Sequence, residues 1–84
     1  MIVKLEKFGA SYCAPCKALD KTLDILHQEM PIQIVRYDVD ENEELCEEKG
    51  IRTVPVLIYY DENGNEVTRT TGNIPISKIK EIIK

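Results

Sequence analysis

Cys13 and Cys16, separated only by Ala14 and Pro15, stand where a β-like run ends and a helix-like run begins. That spacing puts both sulfurs on one face of a single helical turn, near enough to bond, so the pair can cycle between dithiol and disulfide. At a helix start, unpaired backbone N–H groups and the positive end of the helix dipole stabilise a thiolate and lower the pKa of the leading cysteine. Cys13 is therefore the expected nucleophile. Pro15 falls inside the first turn, where its missing N–H is not needed and its fixed φ suits a helix.

A Cys-x-x-Cys is also half of a zinc site, so the remaining ligands must decide between the two chemistries. Structural zinc takes four Cys or His ligands, and beyond the pair the chain offers only His27 and Cys46. His27 lies eleven residues past Cys16 on what reads as the same helix, about three turns or ~16 Å away. It cannot share a metal with the pair unless that helix breaks. The expectation is no metal and no cofactor beyond a redox-active Cys13–Cys16 disulfide.

Composition narrows the function class. The 84 residues suit one small domain over residues 1–84 with a modest core. Eleven Lys and Arg face fifteen Asp and Glu, and the acidic residues concentrate between Asp38 and Glu44. Such a run reads most simply as a solvated helix start that complements the dipole. With no basic cluster, a nucleic-acid partner is not expected. The N-terminus enters a β-like run without an apolar signal core, and no stretch approaches ~20 apolar residues, so a cytoplasmic protein with no membrane partner is expected. In a reducing compartment the cysteine pair reads as catalytic rather than structural.

The elements that must position the pair alternate along the chain. Residues 2–8 read as a strand, though Lys4, Glu6 and Lys7 make it more polar than a central buried strand should be. Leu19, Leu23, Leu26 and Met30 recur at helical spacing and form one apolar stripe over 14–29, which Pro31 stops. Residues 32–37 make a second strand, rich in β-branched and aromatic side chains. Asp40 can cap a short helix over 41–49 that Gly50 ends in a left-handed turn. Val56 to Tyr60 is the plainest strand, and the turn signal Asp61-Glu62-Asn63-Gly64 folds the run from 65 to 70 back against it. After Gly72, Ile76, Ile79, Ile82 and Ile83 give a final helix its apolar face, with Pro75 in its first turn. Tyr59 and Tyr60 alternate across their strand, so one should be core and the other amphipathic surface.

The order β-α-β-α-β-β-α implies an α/β fold. A parallel pair joined by a right-handed helical crossover, with a hairpin added, makes a four-stranded mixed sheet with three helices on two faces. The cysteines then lie at the C-terminal edge of the first strand, where open α/β sheets place their sites.

The segment Phe8-Gly9-Ala10-Ser11-Tyr12-Cys13-Ala14-Pro15-Cys16-Lys17 resembles the active-site segment of the thioredoxin family, which usually reads Phe-Trp-Ala-x-Trp-Cys-Gly-Pro-Cys-Lys. Asp38-Val39-Asp40 resembles that family's second-strand ending, and Gly50-Ile51-Arg52-Thr53-Val54-Pro55 its Gly-Ile-Arg-x-hydrophobic-Pro motif. Gly64 and Gly72 fall where the family keeps its hairpin-turn and pre-helix glycines. The match runs from about residue 2 to the end and lacks the usual N-terminal strand and helix, which implies a minimal, glutaredoxin-sized thioredoxin fold. It also implies a cis Val54–Pro55 bond facing Cys13, which leaves the Val54 backbone free to pair with a substrate strand. Tyr12, Ala14, Pro15, Val54, Pro55 and Gly72 become the expected substrate-binding residues. Disulfide-containing proteins become the expected partners, a thioredoxin-reductase-type donor the source of electrons, and a monomer the working form.

The departures from the family carry information too. Gly9 and Tyr12 replace tryptophans, Ala14 replaces glycine, and Lys7 stands where many thioredoxins carry a buried aspartate that accepts the second cysteine's proton. An ammonium beneath the pair would favour thiolate and modulate the Cys13 pKa. The plainer reading is that Lys7 extends its charge to water and leaves only its stem in the core. Cys46 reads as a small buried apolar residue rather than a regulatory thiol, and His27 as helix surface.

Two other functions compete with protein-disulfide reduction. A glutathione-dependent glutaredoxin shares Thr53-Val54-Pro55, but Thr71-Gly72-Asn73 stands where that family often has Gly-Gly and Asp. A dithiol carrier for Cu(I) or Zn would usually begin strand-helix-strand-strand, which this order does not match.

Overall fold

Leu19, Leu23 and Leu26 are withdrawn from solvent along α1 (Ala14–Glu29), as their spacing requires. The computed structural model describes Met1 to Lys84. It places α1 between β1 (Ile2–Gly9) and β2 (Gln33–Asp38). A 3-10 turn (Val39–Glu41), α2 (Glu43–Lys49), β3 (Val56–Asp61), β4 (Glu66–Thr71) and α3 (Ile76–Ile83) follow.

The strands form one sheet in the order β2-β1-β3-β4. β1 runs parallel to β2, with Phe8 beside Tyr37, and antiparallel to β3, with Phe8 beside Val56. β4 returns antiparallel to β3 through the Asp61–Asn65 turn, whose Gly64 has a φ of 79°. The mixed sheet with its parallel crossover and added hairpin is the one expected.

Alternation along β1 and β3 builds two cores. Leu5, Leu57 and Tyr59 pack with Leu19, Leu23, Leu26, Ile79 and Ile83 beneath α1 and α3. Phe8, Val56, Ile58 and Tyr60 pack with Cys46 beneath α2. With helices on both faces, β3 is buried on both, and this corrects the expectation for the tyrosines. Tyr59 and Tyr60 are both buried, the first with its hydroxyl 3.1 Å from Thr70 Oγ1 and the second donating to Glu6 at 2.6 Å.

The polarity of β1 has a related cause. This strand is central, and its Glu6 and Lys7 are buried on opposite faces, each with a charged partner from elsewhere in the chain. The start of α2 also differs from expectation. Asp38, not Asp40, uses its side chain as a cap, accepting from the Asp40 N–H at 2.8 Å to close the 3-10 turn. Asn42 then begins α2 without a side-chain cap. Pro75 is the residue before the first turn of α3 rather than inside it.

Candidate active site

The cysteine pair is positioned by the junction of β1 and α1. Cys13 is the N-cap of α1, in extended backbone, and its Sγ accepts the Cys16 N–H at 3.2 Å. That contact turns a free N–H of the helix start toward the sulfur, which is how a helix terminus stabilises a thiolate. Cys13 and Cys16 are joined as a disulfide with Cα atoms 5.2 Å apart. Cys16 is 1% exposed and Cys13 9%, so an incoming group reaches Cys13 first. Ala14 and Pro15 lie exposed in the first turn, and Tyr12 is 74% exposed beside them.

The second wall comes from the loop before β3. Val54–Pro55 is a cis peptide bond, and Val54 packs against the cluster of Ala10, Cys13 and Cys16. Gly72, at a φ of 82° that suits glycine, donates its N–H to the Pro55 carbonyl at 2.8 Å and ties the end of β4 to this loop. Of the residues expected around the pair, Val54 packs against it, Tyr12, Ala14 and Pro15 flank it in the chain, and Gly72 is joined to Pro55. A shallow groove of about 180 Å³ beside the pair is lined by Tyr12 and Val54 and by four residues with no role expected from the sequence, Val39, Ile51, Arg52 and Thr53. Ile51, Arg52 and Thr53 are legible by adjacency to Val54 in the chain, whereas Val39 reaches the groove only through the fold.

Lys7 corrects the plainer expectation, that its charge extends to water. Its side chain neither reaches water nor lies unpaired: the residue is 6% exposed, and Nζ donates to Asp20 Oδ2 at 3.1 Å. Asp20 also accepts from Arg36 Nη1 at 3.0 Å, and Arg36 Nη2 reaches Asp24 at 2.7 Å. Asp20 was missed in the sequence, although its place four residues after Cys16 puts the two on one face of α1.

Cys46 is buried and free, and burial, then the nearby charge of Asp40, push its thiol pKa up. It stands apart from the pair, on the opposite core. His27 is exposed on α1, with Nδ1 3.1 Å from the Ile32 carbonyl oxygen. No group of three or more His, Cys, Asp or Glu side chains is arranged to hold a metal ion, and no helix is long and apolar enough to cross a membrane.

The sequence profile of the Thioredoxin family matches residues 2–84. The thioredoxin of Bacillus subtilis is 35% identical over 83 residues, covering 96% of this chain and 79% of its own length. That of Mycoplasmoides gallisepticum is 32% identical over 78 residues, covering 92% and 77%. Among solved structures, thioredoxin 1 from Thermosipho africanus superposes with a TM-score of 0.85 at 31% identity, covering 96% of this chain and 90% of the other. A variant thioredoxin from Halobacterium salinarum gives 0.89 at 30%, covering 95% and 70%. With a Cys-x-x-Cys disulfide at a helix start and these relatives across nearly its whole length, the chain belongs to the thioredoxin family and is a thiol–disulfide oxidoreductase of the protein-disulfide reductase type.

Proposed function

We propose that the chain reduces disulfides of cytoplasmic proteins as a monomeric, single-domain electron carrier, with Cys13 as nucleophile and Cys16 as resolving thiol. The observation that carries this reading is the difference within the pair, since Cys13 caps α1 and keeps the greater access while Cys16 is almost fully enclosed. Cys13 thiolate attacks one sulfur of the substrate disulfide, forming a mixed disulfide and expelling the other sulfur as a thiolate. Cys16, as thiolate, then attacks Cys13 Sγ. The Cys13–Cys16 bond forms, the bond to substrate breaks, and the substrate leaves carrying both electrons. An external dithiol of the thioredoxin-reductase type returns two electrons to the pair, and no cofactor beyond the disulfide is needed.

Val54 supplies backbone N–H and C=O groups beside Cys13 for an extended substrate segment, a form of strand addition. Tyr12, Ala14, Pro15, Pro55 and Gly72 shape the surface on which that segment lies, and Lys7 acts on the reactivity of the pair from beneath. Insulin reduction coupled to NADPH and a thioredoxin reductase tests the reading. Turnover there, with little or none when glutathione and its reductase replace that donor, is the expected result. The reverse preference would assign the chain to glutathione-dependent chemistry.

A further inference from the structure

We infer that Lys7 and Asp20 are a positioning pair that sets the reactivity of Cys16, the buried thiol, rather than that of Cys13. This rests on the proposal that Cys16 resolves the mixed disulfide. A Cβ added to Gly9 would stand 2.5 Å from Lys7 Nζ and 3.2 Å from Cys16 Cβ. The ammonium and the Cys16 methylene therefore border the same small space. Their separation cannot exceed the sum of those distances, and the thiolate charge on Sγ is one C–S bond from that methylene, which brings it to the edge of the about 4–6 Å over which an opposite charge shifts a pKa by about 1–3 units.

Burial gives that charge its reach. Lys7 is shielded from solvent and held by Asp20 Oδ2, so its field at Cys16 is weakly screened and is offset chiefly by that carboxylate. The charged groups around the site come from three elements: Lys7 from β1, Lys17 and Asp20 from α1, and Arg36 and Asp38 from β2, together lining a polar depression. The loop before β3 faces the pair with Val54 and carries its charge, Arg52, into the groove on the Tyr12 side.

The resolving step needs Cys16 as a thiolate, and its proton must pass to solvent. Lys7 favours that loss by stabilising the charge that remains. Asp20 moderates the effect, and its second oxygen is held by Arg36 at the surface. The two residues therefore act with opposite sign. Removing the ammonium should raise the Cys16 pKa, and neutralising the carboxylate should lower it.

Two measurements test this, both in the full chain with Cys46→Ala. In Cys13→Ser protein, where Cys16 is the single remaining thiol, ultraviolet thiolate titration should show an increase of about one unit for Lys7→Met and a decrease for Asp20→Asn. In protein with both site cysteines, an adduct of a chromophoric aromatic thiol on Cys13 is resolved by Cys16. A one-unit rise cuts the thiolate fraction about tenfold at neutral pH but makes the thiolate about threefold more nucleophilic. Lys7→Met should therefore slow release about three- to fourfold near neutrality and overtake the parent at alkaline pH. Asp20→Asn should shift the profile the other way, and Lys7→Arg should restore the parent profile.

A merely structural role gives no crossing and moves both variants in the same direction. Superimposable titrations, or shifts of equal sign, overturn the inference, and Asp20→Asn with Lys7→Arg still decides it if Lys7→Met does not fold. Failure of the adduct to form on Cys13 in Cys16→Ser protein would instead overturn the assigned cysteine roles, so the two failures are distinguishable.

Discussion

The Tyr60 hydroxyl donates to Glu6 Oε1 at 2.6 Å across β1 and β3, beneath α2. Lys49, from the end of α2, donates to both Glu6 and Tyr60. Lys4 lies 3.5 Å from Glu6 Oε2 and, like Lys49, over the Tyr60 ring. A buried carboxylate is thus satisfied from three sides, and this helps hold the helix on the face of the sheet opposite α1.

That arrangement sets the pH range of stability. Burial pushes the Glu6 pKa up, but the hydrogen bonds from Tyr60 and Lys49 and the charges of Lys49 and Lys4 outweigh it and leave the pKa lowered. A carboxylate with a lowered folded pKa contributes stability above its unfolded value, about 4.3, and loses it as pH falls through the folded value. Lys49 is shifted up, because its bonds to Tyr60 and Glu6 and their charges outweigh burial. Its contribution is complete below about 10.4 and is lost as pH rises through the folded value. Tyr60→Phe should cost about 1–2 kcal/mol at neutral pH and move the acid unfolding midpoint upward, read by circular dichroism across a pH series. An unchanged acid midpoint would mean the Lys49 and Lys4 contacts suffice for Glu6.

The cysteine roles predict an asymmetry in trapping. Cys16→Ser protein should hold disulfide-containing proteins as covalent complexes, because the mixed disulfide on Cys13 then has no resolving thiol. Cys13→Ser should trap none, since Cys16 is enclosed. Non-reducing gels after incubation with insulin decide between them, and equal trapping by both variants would reverse the assignment.

Much of this was legible in the sequence because the decisive signals are local. The cysteine spacing, the leucine stripe of α1 and the Asp61–Gly64 turn each act within a few residues, and each appears where its spacing put it. The buried charges were not legible for the opposite reason. Glu6 depends on Lys49 and Tyr60, and Lys7 on Asp20, partners from 13 to 54 positions away. In isolation their polarity reads as more than a central buried strand should carry. The cap of α2 failed for a third reason, because Asp38, Asp40 and Asn42 lie within five residues, all of types that favour caps. Local propensity does not rank them.

Cys46 should be inert while the chain is folded. Its thiol is buried, with a pKa raised first by burial and then by Asp40, so little thiolate is available. After mild reduction at neutral pH, iodoacetamide should modify Cys13 at least about tenfold faster than Cys46. Cys46 labelling should rise only with denaturant. Mass spectrometry of the peptides after timed quenching measures both rates, and comparable native rates would show that α2 opens readily.

The last prediction concerns Gly9, whose missing side chain makes room for Lys7. An added Cβ would lie 2.5 Å from Lys7 Nζ, 2.8 Å from its Cε and 3.2 Å from Cys16 Cβ. The lysine tip is flexible in principle, but here it is buried and bound to Asp20, so moving it breaks an ion pair in a closed space. Gly9→Ala should therefore destabilise the fold by about 1–3 kcal/mol, as overpacking does. Leucine at position 7 has neither Cε nor Nζ, which leaves only the milder approach to Cys16. In a Lys7→Leu background the penalty of Gly9→Ala should fall, giving a coupling of about 0.5–3 kcal/mol in a double-mutant cycle from urea unfolding. Strict additivity would mean that Gly9 is required by its approach to Cys16 alone, and that the small residue and the buried lysine do not depend on each other.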